Sequence, residues 1–183
     1  MDPDLPKRQR LFIALYPDTA ARDAMHQLAR NLVKESGGRV IPAANLHVTL
    51  KFLGPVDPST QACLQQQLDH VRAQRFKLRF SRIEYRKRQQ MLWAAATDLP
   101  DALVELAEMV ERSAIDCGLP PNNHTFSPHI TLARKVHKKI RLPDIEVPET
   151  QIEEFSLVRS ETLPEGSQYT KLKSWRLNTD STK

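Results

Sequence analysis

One four-residue pattern occurs twice in the chain, and it constrains the fold more than any other feature of the sequence. The pattern is His-Val-Thr-Leu at 47–50 and His-Ile-Thr-Leu at 129–132, so the second copy begins 82 residues after the first. Each copy lies in a short apolar segment, which predicts a β-strand. Because side chains alternate between the faces of a strand, the histidine and threonine of each copy share one face, and the apolar residues point into the core.

The segments around the two motifs show both strand and helix patterns, so the sequence predicts a mixed fold of helices and strands. No interior linker divides the sequence, so we expect a single domain over residues 1–183. Helices are predicted at 18–34, 57–71 and 100–118, where apolar residues recur at helical spacing. Strands are predicted at 10–16, 46–53, 76–85, 91–97, 129–136, 155–161 and 169–177, with a basic connection at 137–151 and a frayed tail at 179–183. Trp93 and Trp175 are predicted to be core residues.

The charge and the cysteine content limit the classes of protein to which this sequence can belong. The net charge is +5, and a basic surface attracts polyanions such as RNA, nucleotides and anionic membranes, although many basic proteins bind none of these. Cys63 and Cys117 form no CxxC or zinc pattern, so we expect buried free thiols and a reducing compartment. No apolar run approaches the ~20 residues of a membrane span, and no signal peptide is evident, so the predicted location is cytoplasmic.

Two imidazoles and two hydroxyls in one cleft would suit the hydrolysis of a phosphodiester. A neutral histidine can take a proton from water while a charged one gives a proton to the leaving oxygen, and the reference pKa of about 6.5 lets both forms exist near neutral pH. Threonine hydroxyls can donate hydrogen bonds to the non-bridging phosphate oxygens. A single such strand would mean little, since His and Thr are common on the wet face of half-buried strands.

Metal and ATP chemistry are disfavoured by the same residues. Zinc would need a third ligand beside His47 and His129, and neither motif contains Cys, Asp or Glu. The nearest acidic residue, Asp57, lies beyond a Gly-Pro turn. A phosphate-cradling GxxxxGK loop is missing from the sequence, which argues against an ATP-dependent ligase. We therefore expect neither a metal nor a cofactor.

The paired motifs and their flanks resemble the two-histidine (2H) phosphoesterases, specifically the bacterial RNA 2′,3′-cyclic phosphodiesterases, which are also called 2′-5′ RNA ligase-like. The resemblance covers most of the chain. It rests on the segments 10–15, 45–54 and 126–134, and on Tyr169, Leu172 and Trp175 near the end. It implies a bilobal α+β fold in which antiparallel sheets, flanked by helices, are related by a pseudo-two-fold axis through a central cleft. It also implies metal-independent hydrolysis of a 2′,3′-cyclic phosphate to a 2′-phosphate.

The resemblance also implies a role for each site residue. His47 would be the general acid that protonates the departing 3′ oxygen, and His129 the general base on water. Thr49 and Thr131 would hold the phosphate, and Arg134 matches a family position that meets it. Simple alternation, however, puts Arg134 on the opposite face from His129, so it reaches the site only if the strand ends or twists there, or if the side chain curls round the edge.

Three other functions stay open at this point. ATP-independent 2′-5′ ligation of RNA ends would use the same groups, with a 5′-hydroxyl in place of water. A non-catalytic RNA-binding module would use only the basic surface. The substrate could also be a small cyclic nucleotide or an ADP-ribose cyclic phosphate rather than an RNA end. In every case we expect a monomer with no membrane partner.

Overall fold

The structure is a computed structural model that describes residues 8–34, 36–137, 142, 147, 149–164 and 166–179. The α-helices are α1 (Thr19–Val33), α2 (Pro58–Leu68) and α3 (Asp101–Asp116), and a short 3-10 helix covers Ala43–Asn45. The strands are β1 (Gln9–Leu15), β2 (Arg39–Val40), β3 (Val48–Val56), β4 (Phe76–Leu78), β5 (Arg82–Arg86), β6 (Met91–Ala95), β7 (His129–Arg134), β8 (Thr150–Ile152), β9 (Glu154–Leu163) and β10 (Gly166–Arg176).

The two motif strands are neighbours at the centre of one antiparallel sheet. The strand order is β10-β9-β1-β3-β7-β6-β5, with β2 paired to β7. Three helices and mostly antiparallel strands confirm the predicted α+β class. The arrangement as two lobes about a pseudo-two-fold axis stays a prediction.

The helices cover the face of the sheet that carries the apolar motif residues. Val48, Leu50, Ile130 and Leu132 are all at most 4% exposed, and they share one core with the apolar residues of α1 and α3. Aspartates cap the first two helices, since the side chain of Asp18 accepts from an α1 N–H, and the side chain of Asp57 does the same for α2. No described helix is long and apolar enough to cross a membrane.

The predicted strand at 76–85 is wrong, because the structure divides it into β4 and β5. Burial alternates over 76–80, but residues 81 and 82 are both exposed, so the period of two breaks there. Strand β4 pairs with β8 in a separate two-stranded sheet, whereas β5 pairs with β6 in the main sheet. Most of the predicted basic connection at 137–151 and the tail beyond residue 179 lie outside the described residues.

The prediction of two free thiols is also wrong, because Cys63 and Cys117 form a disulfide with a Cα–Cα distance of 5.9 Å. Cys63 lies on α2, and Cys117 caps the end of α3, which packs beside α2. The two cysteines are 54 residues apart in sequence, so only the packing of the helices brings them together. The argument for a reducing compartment from free thiols therefore no longer holds.

Candidate active site

Both motifs line one cavity of about 440 Å³. All five residues singled out in the sequence lie on its wall: His47, Thr49, His129, Thr131 and Arg134. The remaining wall residues come from β1, β3, β9, β10 and the segment before β3, and they are Arg10, Leu11, Phe12, Ile41, Asn45, Phe52, Gly54, Ser160, Thr162, Ser167 and Tyr169. The sequence pattern alone did not identify most of this second group, since they come from strands that carry no motif.

The pairing of β3 with β7 explains how the motifs meet. Val48 lies directly opposite Ile130, and these two residues hold equivalent positions in the two motifs. The strands run antiparallel, so each histidine is set diagonally across from the other. Diagonal Cα atoms in an antiparallel pair are roughly 7–8 Å apart, a spacing that suits one phosphate held between two imidazoles.

A β-bulge in each motif strand brings a third pair of side chains to the cavity. In β3 the register with β1 shifts at Leu50 and again at Leu53, and in β7 the register with β6 shifts at Leu132. The extra residue reverses the alternation that follows it. Phe52 and Arg134, each five positions after a motif histidine, therefore face the cavity. Regular alternation would put Arg134 on the opposite face, and the register shift is what allows it to reach the cavity, as the prediction for this residue required.

The bulge in β3 also turns Lys51 away from the cavity. Its Nζ donates to a Glu111 carboxylate oxygen at 2.8 Å and to the Pro120 carbonyl at 3.0 Å. The other carboxylate oxygen of Glu111 accepts from the backbone N–H of Asn122. The lysine side chain is only 1% exposed. This network joins the first motif strand to the loop that leads into His129.

The two histidines have the same hydrogen-bond arrangement. Nδ1 of His47 donates to the Asn45 carbonyl at 2.7 Å, and Nδ1 of His129 donates to the Ser127 carbonyl at 2.8 Å. A carbonyl oxygen only accepts, so it holds the proton on Nδ1. In each neutral ring, Nε2 is therefore the nitrogen that can exchange a proton with a substrate.

Aromatic rings surround His47. The centroids of Phe12, Tyr16 and Tyr169 lie 4.9, 5.8 and 5.2 Å from the centroid of the imidazole. Burial lowers the pKa of His47, the hydrogen bond to Asn45 opposes this effect, and the charges of Arg134 and His129 lower the pKa further. Burial raises the pKa of Tyr16 to about 12, so this phenol stays neutral near pH 7.

A flat stack of side chains lies behind His129. Its ring is stacked on the indole of Trp93, which is half-buried, and the Arg86 guanidinium lies 4.6 Å from the centroid of the indole. Burial lowers the pKa of His129, the hydrogen bond to Ser127 opposes this, and Arg86 and Glu84 add a lowering and a raising effect, respectively. The prediction that Trp175 is a core residue is confirmed. The same prediction for Trp93 is wrong, because its side chain is only half-buried and stacks on the site histidine.

Among the described residues, no three His, Cys, Asp or Glu side chains are grouped closely enough to hold a metal ion. The chemistry that the cavity offers is therefore that of two imidazoles, two hydroxyls, one guanidinium and exposed aromatic faces. Such a set can bind a phosphate and move protons on both sides of it.

Comparison with known proteins assigns the chain to a family. The sequence profile of the 2′-5′ RNA ligase superfamily matches residues 16–163. The chain is 31% identical over 171 residues to the RNA 2′,3′-cyclic phosphodiesterase of Escherichia coli (strain K12), covering 92% of this chain and 97% of that protein. The protein of the same name from Archaeoglobus fulgidus is 26% identical and covers 90% of this chain and 98% of its own length.

Solved structures agree with the sequence comparison. The E. coli LigT structure complexed with 3′-AMP superimposes with a TM-score of 0.85 at 29% identity, covering 93% of this chain and 99% of that one. The TT0787 structure of Thermus thermophilus superimposes with a TM-score of 0.78 at 27% identity, with the same coverage. The profile match, the sequence identity and the shared fold agree, and the chain belongs to the 2′-5′ RNA ligase superfamily.

Proposed function

We propose that this protein is an enzyme that hydrolyses the 2′,3′-cyclic phosphodiester at an RNA end to a 2′-phosphomonoester, without a metal or cofactor. The observation that carries this proposal is the convergence of His47, Thr49, His129, Thr131 and Arg134 on one cavity. The family supports it too, because relatives that match most of the chain are named RNA 2′,3′-cyclic phosphodiesterase.

In the proposed reaction a water oxygen attacks phosphorus as the bond to the 3′ oxygen breaks. Nε2 of His129 takes a proton from the water, and Nε2 of His47 gives a proton to the 3′ oxygen. The products are a 2′-phosphate and a 3′-hydroxyl, so protons and bonds balance. Both rings donate from Nδ1 to a backbone carbonyl, so their hydrogen bonds do not distinguish the acid from the base. The assignment of the two roles therefore follows the family resemblance.

The remaining polar groups would stabilise the charge on phosphorus. The hydroxyls of Thr49 and Thr131 can donate to non-bridging oxygens, and Arg134 can bind two of those oxygens at once through its planar guanidinium. Donors that are already oriented toward the place where charge develops are often the largest contribution to catalysis. A bound phosphate would also raise the pKa of His47 and so favour its protonated form. This is the form that the role of general acid requires.

Phe52 gives the cavity a place for a nucleobase. This side chain lines the cavity yet is 74% exposed, and its ring centroid is 6.3 Å from that of Phe12. A base can stack on such an exposed aromatic face without sequence preference. A nucleotide end therefore fits the cavity better than a bare phosphate diester would.

The test is to incubate the purified protein with an oligonucleotide that ends in a 2′,3′-cyclic phosphate, in excess EDTA, and to separate the products. We expect ring opening to a 2′-phosphate, with the chelator having no effect. His47→Ala and His129→Ala should each lower turnover at least ~100-fold, the scale of one general acid or base. His70→Ala, an exposed histidine after α2, is the matched control and should leave turnover unchanged.

Other outcomes would point to the alternatives. Joined strands instead of opened rings would indicate 2′-5′ ligation. The enzymatic proposal would be refuted if the wild type shows no turnover and RNA binding survives both histidine substitutions. That result would indicate a binding module. The monomeric state and the cytoplasmic location remain predictions.

A further inference from the structure

A second groove borders the cavity, and the two motifs do not explain it. This groove has a volume of about 550 Å³, and it shares Asn45, Arg134 and Tyr169 with the cavity. Its own walls add Arg39 and Lys135, together with neighbouring residues of β2 and of the turn between β9 and β10. Neither Phe12 nor Phe52 lines it, so the groove lies on a different side of the cavity from these two rings.

Three cationic side chains converge on this groove. Arg39 on β2 lies directly opposite Arg134 on β7 in the antiparallel register, and Lys135 follows Arg134 in the chain. Like charges directly opposite each other destabilise a sheet. No ion pair to any of the three is found within the described ranges. A bound anion would offset this repulsion.

Two backbone positions have conformations that are compatible with this placement of the cations. Lys135 has a φ of 55°, in the left-handed region that non-glycine residues seldom adopt. This conformation ends β7 and lets Arg134 and Lys135 line the same groove, whereas consecutive residues of a strand would face opposite ways. Gly166 has a φ of 142°, and a Cβ built at this position would collide with the guanidinium of Arg39. The glycine thus leaves room for Arg39.

We propose that the groove binds the phosphodiester that joins the terminal nucleotide of an RNA to the nucleotide before it. This inference rests on the proposed function and identifies the residues that would contact the nucleotide before the terminal one. In a ribose 2′,3′-cyclic phosphate, the base and the 5′ carbon leave the sugar on opposite sides of the ring oxygen. With the base on Phe52, the 5′ phosphate therefore leaves by another route, and the groove offers it Arg39 and Lys135.

The experiment compares two substrates of the same protein. Hydrolysis is measured with adenosine 2′,3′-cyclic phosphate, which has no second phosphate, and with a triadenylate that ends in a 2′,3′-cyclic phosphate. The quantity of interest is the ratio of kcat/KM for the trinucleotide to kcat/KM for the mononucleotide. We expect this ratio to exceed about 10 in the wild type and to fall about tenfold in Arg39→Gln, the scale of one charge-assisted phosphate contact.

Two further measurements make the test specific. Lys135→Gln should also lower the ratio. In a plot of log kcat/KM for the trinucleotide against log salt concentration, the double variant should have a slope that is shallower by about 0.7 for each cation removed. Arg75→Gln removes the same charge from an exposed position outside the groove, so it should change neither the ratio nor the salt dependence.

The inference and the proposed function fail in different ways. The proposal for the groove alone would be overturned if the wild-type ratio is near 1. It would also be overturned if both substrates are hydrolysed and Arg39→Gln and Lys135→Gln leave the ratio unchanged. If neither substrate is opened, the proposed function itself is refuted.

Discussion

The imidazole of His129 is stacked on the indole of Trp93, with ring centroids 3.6 Å apart and planes inclined by 15°. This contact fixes the plane of the proposed general base, while the Nδ1 hydrogen bond fixes its rotation within that plane. Replacing Trp93 by Leu removes the flat surface, so we expect kcat to fall about tenfold because the base is less well oriented.

Trp93→Phe is the matched control for that substitution. The indole Nε1 is buried and has no hydrogen-bond partner in the described part of the chain, so phenylalanine keeps the stacking face and loses no bond. We expect Trp93→Phe to retain more than half of the wild-type kcat. Thermal unfolding of both variants separates a loss of orientation from a loss of stability. Equal kcat values for the Leu and Phe variants would contradict the role in positioning.

The pH dependence of hydrolysis follows from the lowered pKa values of His47 and His129. The reaction needs one ring protonated and the other neutral, so kcat/KM should be highest between the two pKa values of the free protein. Both values lie below the usual 6.5, mainly because of burial. We therefore expect a bell-shaped profile of kcat/KM with its maximum below pH 6.5.

The profile of kcat should lie at higher pH than that of kcat/KM. The negative charge of the bound phosphate favours the protonated form of both rings and so raises both pKa values in the complex. Steady-state kinetics from pH 4.5 to 9 in buffers of constant ionic strength would give both profiles. A maximum of kcat/KM above pH 7.5 would contradict the lowered pKa values.

Phe52 should contribute to binding rather than to the stability of the fold. Its side chain is 74% exposed, so Phe52→Ala removes little buried surface. Base stacking on an aromatic side chain is worth roughly 1–3 kcal/mol, and we expect KM for a cyclic nucleotide to rise about tenfold or more. Phe52→Tyr keeps the ring and serves as the control. An unchanged KM in the Ala variant would place the base elsewhere.

The disulfide between Cys63 and Cys117 should contribute strongly to stability. It closes a loop of 54 residues, and a cross-link of that length typically adds about 2–4 kcal/mol by restricting the unfolded chain. We expect a reductant, or the double substitution by Ala, to lower the free energy of unfolding by this amount in urea titrations. A reductant that leaves the unfolding curve unchanged would show that the bond is not formed in solution.

The sequence by itself was sufficient to identify the motif residues and the face on which they lie. Alternation along a strand is local, so it follows from the pattern that Val48 and Ile130 are buried and that, within each motif, the histidine lies on the opposite face of its own strand. The helix caps at Asp18 and Asp57 are local in the same sense. The family resemblance added the activity, which no periodicity encodes.

Only the tertiary structure decided which strands pair and where the register shifts. The bulge at Leu132 brings Arg134 to the cavity, and a bulge is defined by the partner strand, which is distant in sequence. The contact of Trp93 with His129 and the pairing of Cys63 with Cys117 depend in the same way on elements that meet only after folding. Local patterns determine what a residue faces within its own strand, but a contact between distant segments is determined by packing.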